Sequence, residues 1–119
     1  QRVVNAIIRQ EGMPADYKNP GNLRGAPWLS APIIVNRFWQ PTSREQGEAG
    51  LAHVFSLHLA QGNSLHDFIA GHPGVYSGFA PGADHNDPAK YIADVKLWAG
   101  IPDESMPLWN FLGATPPVS

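Results

Sequence analysis

Glycine and proline residues occur throughout this chain and divide it into short segments. There are 12 residues of each type among 119, so many turns are expected. The hydrophobic fraction of 43% still suffices for a core, and the aromatic residues argue against a disordered chain. The length is that of one domain.

The segments between these breaks predict helices. The first carries an apolar stripe of Val4, Ile7 and Ile8 at helical spacing, and Gly12 ends it. Three later helices are predicted from N-caps to terminal glycines, over Ser43 to Gly62, Ser64 to Gly71 and Asp87 to Gly100.

The later helices have predicted buried faces. For the helix after Ser43 the face is Ala49, Ala52, Val54, Phe55 and Leu59. For the helix after Asp87 it is Tyr91, Ile92, Val95, Trp98 and Ala99.

Other segments are less regular. An extended piece is expected around 33–35 and 38–39, a loop over 74–86 and one short helical turn within 103–112. The predicted fold class is mainly α, or α+β with at most a small β segment. Residues 1–113 form the domain, and 114–119 are a tail or linker.

Charge and composition exclude several classes of protein. Eight basic residues against ten acidic ones give a net charge of −2, which offers little to a nucleic acid. The chain has no apolar run of membrane-spanning length, so no membrane insertion is expected. The absence of cysteine excludes disulfides and zinc–thiolate sites. A chain that starts at Gln1 is expected to be a processed product or an excised domain, either a monomer or part of a larger chain.

Glu11 is the most informative single residue. It continues the apolar stripe of the first helix at its C-terminal end, beside Gly12. Burial and the negative end of the helix dipole both raise the pKa of a carboxyl group placed there, as a general acid near neutral pH requires. The alternative is a solvated glutamate, or one paired with Arg24 or Arg37.

A polar cluster follows Glu11 in the sequence. Tyr17, Asn19, Asn22 and Arg24 supply amide, phenol and guanidinium donors suited to hydroxyl and acetamido groups. The alternative is plain turn chemistry, because Asn-Pro-Gly-Asn is also a common turn sequence.

Two aromatic residues in loops are weaker candidates for glycan binding, and one histidine near two aspartates is a weak candidate for binding a divalent ion. Trp28 and Tyr76 could stack on a sugar face or cover the core. His85 lies near Asp84 and Asp87, but a solvated loop is the expected outcome there. No metal and no cofactor are predicted.

The motifs together resemble those of a known family. The pair Glu11-Gly12, then Tyr17 and the stretch 19–24 (NPGNLR), resembles the start of lysozyme-like domains of phage particles and bacterial cell-wall enzymes. The later segments Ala80-Pro81 and 86–91 fit the same family. The resemblance covers about residues 3–108 and implies a compact lysozyme-like helical domain with long loops around a cleft.

The resemblance also implies a reaction and a set of roles. It implies cleavage of the β-1,4 bond between MurNAc and GlcNAc in peptidoglycan glycan strands, with Glu11 as proton donor. Asn19, Asn22 and Arg24 match the stretch beside that glutamate. Asn86 and Tyr91 match the late segment, where they are expected to support the cleft wall.

One departure from the family pattern bears on the mechanism. Phage-type muramidases with this pattern carry a second carboxylate just after the tyrosine, where this chain has Asn19. Retaining and inverting glycosidases both need a carboxyl pair. A single glutamate suits a lytic transglycosylase, in which the muramyl 6-hydroxyl is the nucleophile, and this is the preferred interpretation. A hydrolase is the alternative, with its second carboxylate supplied through the fold from one of these: Asp16, Glu45, Glu48, Asp84 or Asp87.

Two non-enzymatic alternatives stay open at this point. The domain could bind glycan strands without cutting them, or serve as a structural part of a virion or secretion machine. The mildly acidic charge favours local action, so a periplasmic, extracellular or virion-associated location is expected.

Overall fold

The computed structural model describes residues 2–72, 78–79 and 87–112. In chain order its elements are α1 (Arg2–Glu11), β1 (Ile34–Val35), β2 (Phe38–Trp39), α2 (Arg44–Ala60), α3 (Leu65–Ala70), α4 (Pro88–Ala99) and α5 (Trp109–Leu112). The predicted fold class, mainly α with a small β segment, is confirmed. None of these helices combines the length and the apolar character needed to cross a bilayer. The predicted tail 114–119 and most of the predicted loop 74–86 lie outside the described residues.

The main core lies between the helices, and α1 packs against α4 along one side of it. Its members are apolar side chains from four helices and the segment after α4. The buried members from the helices are Val3, Val4, Ala6, Ile7, Leu51, Phe55, Leu65, Phe68, Ile69, Tyr91, Ile92, Val95 and Ala99. Burial of this apolar surface is the principal force that holds α1 and α4 together.

The helix starts agree with the predicted N-caps. The hydroxyl oxygens of Ser43 and Ser64 accept hydrogen bonds from the third backbone N–H that follows, each at 3.1 Å. A carboxylate oxygen of Asp87 accepts from the Lys90 N–H at 3.1 Å. Gly100 ends α4 in the left-handed region at φ +69°, a conformation that glycine adopts at low cost.

The predicted buried face of α2 was wrong in part. Ala49 and Ala52 are exposed, whereas Gly47, Gly50 and Leu51 are buried. The reason is a close approach: a Cβ on Gly47 would lie 1.7 Å from the carbonyl oxygen of Lys18. Helix α2 therefore meets the loop after α1 and the Trp39 ring through Gly47 and Gly50, and a search for an apolar stripe does not detect glycines.

The two strands form an antiparallel hairpin that is attached to the loop after α1. Ile34 pairs with Trp39 across the hairpin, and the turn residues Asn36 and Arg37 have φ of +50° and +70°. Trp39 is buried, and its backbone N–H donates to the Leu23 carbonyl at 2.9 Å. The segment that follows α1 and the hairpin are thereby fixed to one another.

Candidate functional site

Glu11 lies at the C-terminal end of α1 with its carboxyl group half-buried and held by two donors. The Tyr91 hydroxyl donates to Oε1 at 2.9 Å. The side-chain amide of Asn22 donates to Oε2 at 3.4 Å. The packing of α1 on α4 brings Tyr91 to Glu11 across 80 positions of sequence. Within the described residues Glu11 forms no ion pair, so the predicted alternative of a salt bridge to Arg24 or Arg37 is not observed.

The surroundings of Glu11 favour its protonated form. Burial raises the pKa of this carboxyl group above its ordinary value, and the hydrogen bonds from Tyr91 and Asn22 lower it by less. Burial, together with the negative charge and the hydrogen bond of Glu11, also raises the pKa of Tyr91. The phenol therefore keeps its proton at neutral pH and stays a donor to the carboxyl group.

The contribution of Tyr91 can be measured without reference to any activity. We expect Tyr91→Phe to raise the pKa of Glu11 further, because it removes a donor that stabilises the ionised form. A hydrogen bond to a charged group contributes about 1.5 kcal/mol, which corresponds to a midpoint about one pH unit higher. The check is the NMR titration of the Glu11 side-chain carboxyl carbon.

Tyr17→Phe is the matched control for this titration. The Tyr17 hydroxyl contacts Asn22 and not Glu11, so its loss is expected to move the Glu11 midpoint by less than half as much. An unchanged or lower midpoint in Tyr91→Phe would contradict the assigned role of the Tyr91 hydroxyl.

Asn22 connects Tyr17 to Glu11. The Tyr17 hydroxyl donates to the side-chain oxygen of Asn22 at 3.0 Å, which leaves the amide nitrogen of Asn22 directed to the carboxylate. The backbone of Asn22 is left-handed, with φ +50°. Asparagine tolerates that conformation better than most residues. The turn thus orients one particular amide at the glutamate.

Asn19 is predicted to contact a glycan, but its side chain is buried between the loop after α1 and β2. Its side chain is 3% exposed and is fully engaged with backbone: its oxygen accepts from the Leu23 N–H, and its nitrogen donates to the carbonyl oxygens of Leu23 and Trp39, each at 3.0 Å. A side chain with these partners ties the loop to β2. Its placement therefore favours a structural role over the predicted contact with a glycan.

The other predicted binding residues are spread more widely. Arg24 is exposed, with its guanidinium 5.9 Å from the centre of the Phe38 ring. Trp28 is half-buried; its ring lies edge-on to Trp39 at 5.6 Å and 4.8 Å from the ring of His53. Neither forms a described hydrogen bond to Glu11. Two more predicted contacts, Tyr76 and Asn86, lie outside the described residues.

Other carboxylates are engaged elsewhere or face solvent. Glu48 accepts from the Arg44 guanidinium at 3.0 Å. Asp87 caps α4, while Asp16 and Glu45 are exposed. Within the described ranges, none of them is hydrogen-bonded to Glu11, and Asp84 falls outside those ranges. Glu11 is therefore the carboxyl group that Tyr91 and Asn22 hold, and none of the other described carboxylates named here shares these hydrogen bonds.

Arg44 was not identified from the sequence as part of the site's support. Its guanidinium donates to the carbonyl oxygens of Pro14 and Tyr17, at 3.1 and 2.8 Å, and so joins α2 to the loop after α1. The only local signal was its i, i+4 spacing to Glu48, which is equally typical of an exposed pair. The described residues contain no cluster of His, Asp and Glu side chains arranged to hold a metal ion. Asp84 and His85, where a solvated loop is expected, lie outside them.

Comparison of the chain with protein-family models, with curated proteins and with solved structures finds no match. No family is therefore assigned. The function has to be inferred from the chemistry of Glu11 and its donors, together with the residue patterns described above.

Proposed function

We propose that this chain cleaves the β-1,4 bond between MurNAc and GlcNAc in peptidoglycan as a lytic transglycosylase. The observation that carries the proposal is the environment of Glu11. A half-buried carboxyl group with a raised pKa and two fixed donors has the properties of a general acid. The resemblance of residues 11–24 to lysozyme-like domains supplies the substrate class.

In the proposed reaction Glu11 acts first as acid and then as base. The protonated carboxyl group gives its proton to the glycosidic oxygen, and the bond from that oxygen to C1 of the muramyl residue breaks. The 6-hydroxyl of the same muramyl residue then bonds to C1 and returns its proton to Glu11. A 1,6-anhydro end forms, no water is consumed, and the carboxyl group is restored.

Tyr91 and Asn22 suit both halves of this cycle. Their hydrogen bonds hold the carboxylate that exists between the two proton transfers. The raised pKa keeps the resting carboxyl group protonated to a higher pH than an exposed glutamate. Burial raises the pKa of Glu11 and the two hydrogen bonds lower it. Because these effects oppose one another, Glu11 can both give a proton and take one back.

Asn19 stands where the resembled pattern has its second carboxylate, and this favours the single-glutamate mechanism over hydrolysis. An inverting hydrolase needs carboxyl groups about 6.5–9.5 Å apart, and a retaining one about 5–5.5 Å. Glu48 forms a salt bridge with Arg44. Asn19, which stands where the resembled family has its second carboxylate, is hydrogen-bonded to the backbone. Hydrolysis remains the alternative that the product analysis below tests directly.

The proposed function also includes contacts to the glycan and a place of action. Arg24 and Trp28 are proposed contacts to the glycan outside the reacting centre. Peptidoglycan lies outside the cytoplasm, so we propose a periplasmic, extracellular or virion-associated place of action.

The experiment is mass spectrometry of purified peptidoglycan digested with this chain. We expect muropeptides that end in anhydro-muramyl groups and are lighter by one water than the hydrolysed products. Ordinary reducing ends would instead indicate a muramidase, with a second carboxylate or a held water completing the site. If no soluble product forms, the enzymatic proposal is wrong, and binding to sacculi then separates a glycan-binding module from a purely structural domain.

A further inference from the structure

The hairpin of β1 and β2 presents an uncovered apolar surface. Ile33, Ile34 and Val35 are 63%, 44% and 48% exposed, although all three are aliphatic. Residues 34 and 35 alternate in direction along the strand, so both faces of the hairpin carry an exposed aliphatic side chain. Three adjacent exposed aliphatic residues suggest contact with another molecule.

The hairpin also lies in the basic part of an acidic chain. Residues 17–44 include four of the eight basic residues, Lys18, Arg24, Arg37 and Arg44, and contain no Asp or Glu. Arg37 is exposed at the hairpin turn. The net charge of the whole chain is −2, so this segment carries the opposite sign to the rest. Arg44 is engaged with Glu48 and with two backbone carbonyls, so the positive charge that the hairpin turn presents to a carboxylate is that of Arg37.

The hairpin is attached to the loop after α1. The Leu23 carbonyl accepts from the Trp39 N–H, and Asn19 bonds to the Trp39 carbonyl oxygen. Leu23 directly follows Asn22, which contacts Glu11. The hairpin is therefore joined, through the Leu23 backbone, to the turn whose Asn22 donates to Glu11.

We propose that this hairpin binds the acidic peptide carried by the muramyl residues of the substrate. The inference rests on the proposed function and specifies the substrate as glycan strands that still bear their peptides. The glycan is uncharged where the lactyl group is amide-linked, so the carboxylates that match Arg37 belong to the peptide. Within the described residues β1 pairs with β2 alone, and its other edge suits an extended peptide added as a strand.

The first test is binding to strands immobilised on beads, with the Glu11→Gln chain as a non-cleaving host. The two ligands are purified peptide-bearing strands and the same strands stripped of peptide by an amidase, with the lactyl carboxyl groups that the amidase frees then capped as amides. We expect Arg37→Gln with Ile34→Ser to weaken binding to the peptide-bearing strands about tenfold, since each exposed contact contributes up to about fivefold. Binding to stripped strands is expected to stay within twofold. Arg37→Lys, which keeps the charge, is expected to retain binding.

The matched control is Lys96→Gln with Leu97→Ser on α4. It removes the same charge and an aliphatic side chain that is 76% exposed, on a helix instead of the hairpin. Equal loss in the control pair, or equal binding of both ligands by the host, would overturn the inference. Cleavage by the chain with native Glu11 is measured in parallel. If it cuts neither ligand, the proposed function fails, while the binding difference still decides whether the hairpin recognises the peptide.

Discussion

Glu11→Gln is expected to reduce peptidoglycan cleavage at least about 10³-fold. Glutamine is close to glutamate in shape but cannot give or accept the proton, and general acid–base catalysis contributes about 10²–10⁴ in rate. Glu11 carries both proton transfers in the proposed mechanism, so the loss falls toward the upper part of that range. The measurement is the release of soluble muropeptides. Retention of more than a tenth of the activity would show that Glu11 is not the acid.

Thermal unfolding shows whether the loss of activity comes from loss of structure. The pKa of Glu11 is raised in the folded chain from an ordinary value of 4.5, so the folded state binds its proton more tightly than the unfolded state does. The carboxyl group therefore costs stability progressively as pH rises from about 4.5 through its folded pKa. Glu11→Gln removes this cost. We expect it to melt a few degrees above the native chain at pH 7, and at nearly the same temperature at pH 4.

Glu45→Gln is the matched control for the cleavage measurement. Glu45 is an exposed carboxylate in the first turn of α2, and its replacement is expected to leave cleavage within twofold. A large loss of cleavage in this control would return Glu45 to the candidates for a second carboxylate and favour a hydrolase.

The helix boundaries could be predicted because their causes are local. A cap such as Ser43, Ser64 or Asp87 acts on a backbone N–H three residues later, and the glycine that ends a helix lies within the same few residues. Such signals are complete in a short stretch of sequence. The stripe of α1 is similarly local, and it placed Glu11 on a partly buried face before any tertiary contact was known.

The buried face of α2 could not be predicted in the same way. A search for apolar side chains selects Ala49 and Ala52, because glycine contributes nothing to a hydrophobic stripe. Gly47 and Gly50 are buried because Lys18 and the Trp39 ring approach them closely. These neighbours come from distant parts of the chain, and their position depends on the fold as a whole.

In the candidate site, too, local features could be predicted from the sequence and long-range contacts could not. Asn19 and Asn22 occupy one turn motif, so sequence alone gave both the same predicted role. The fold separates them: Asn19 is buried against β2, while Asn22 contacts Glu11. The resemblance indicated Tyr91 as support for the cleft wall, but its hydrogen bond to the carboxyl group depends on how α1 packs on α4.

Gly47→Ala has the largest expected effect on stability. Helix propensity alone predicts that alanine stabilises α2 by about 1 kcal/mol. The new Cβ, however, would lie 1.7 Å from the Lys18 carbonyl oxygen and 3.0 Å from the Pro20 ring. Backbone cannot rotate away as a long side chain can, so the helix and the loop must separate. We expect a net loss of about 3 kcal/mol or more, seen as a melting temperature about 10 °C lower.

Helix propensity predicts that Gly47→Ala stabilises the chain, whereas the contact of the new Cβ with Lys18 predicts that it destabilises the chain. Because these expectations have opposite signs, the experiment tests the contact between α2 and the loop directly. Gly25→Ala is the control, because a Cβ there meets nothing within 4 Å, and it is expected to be neutral within about 0.5 kcal/mol. A Gly47→Ala chain that melts at or above the native temperature would show that α2 does not approach Lys18 as closely as the structure has it. Since Lys18 directly precedes the turn that carries Asn22, the destabilised variant is also expected to lose the fixed donor to Glu11, and with it most of the cleavage.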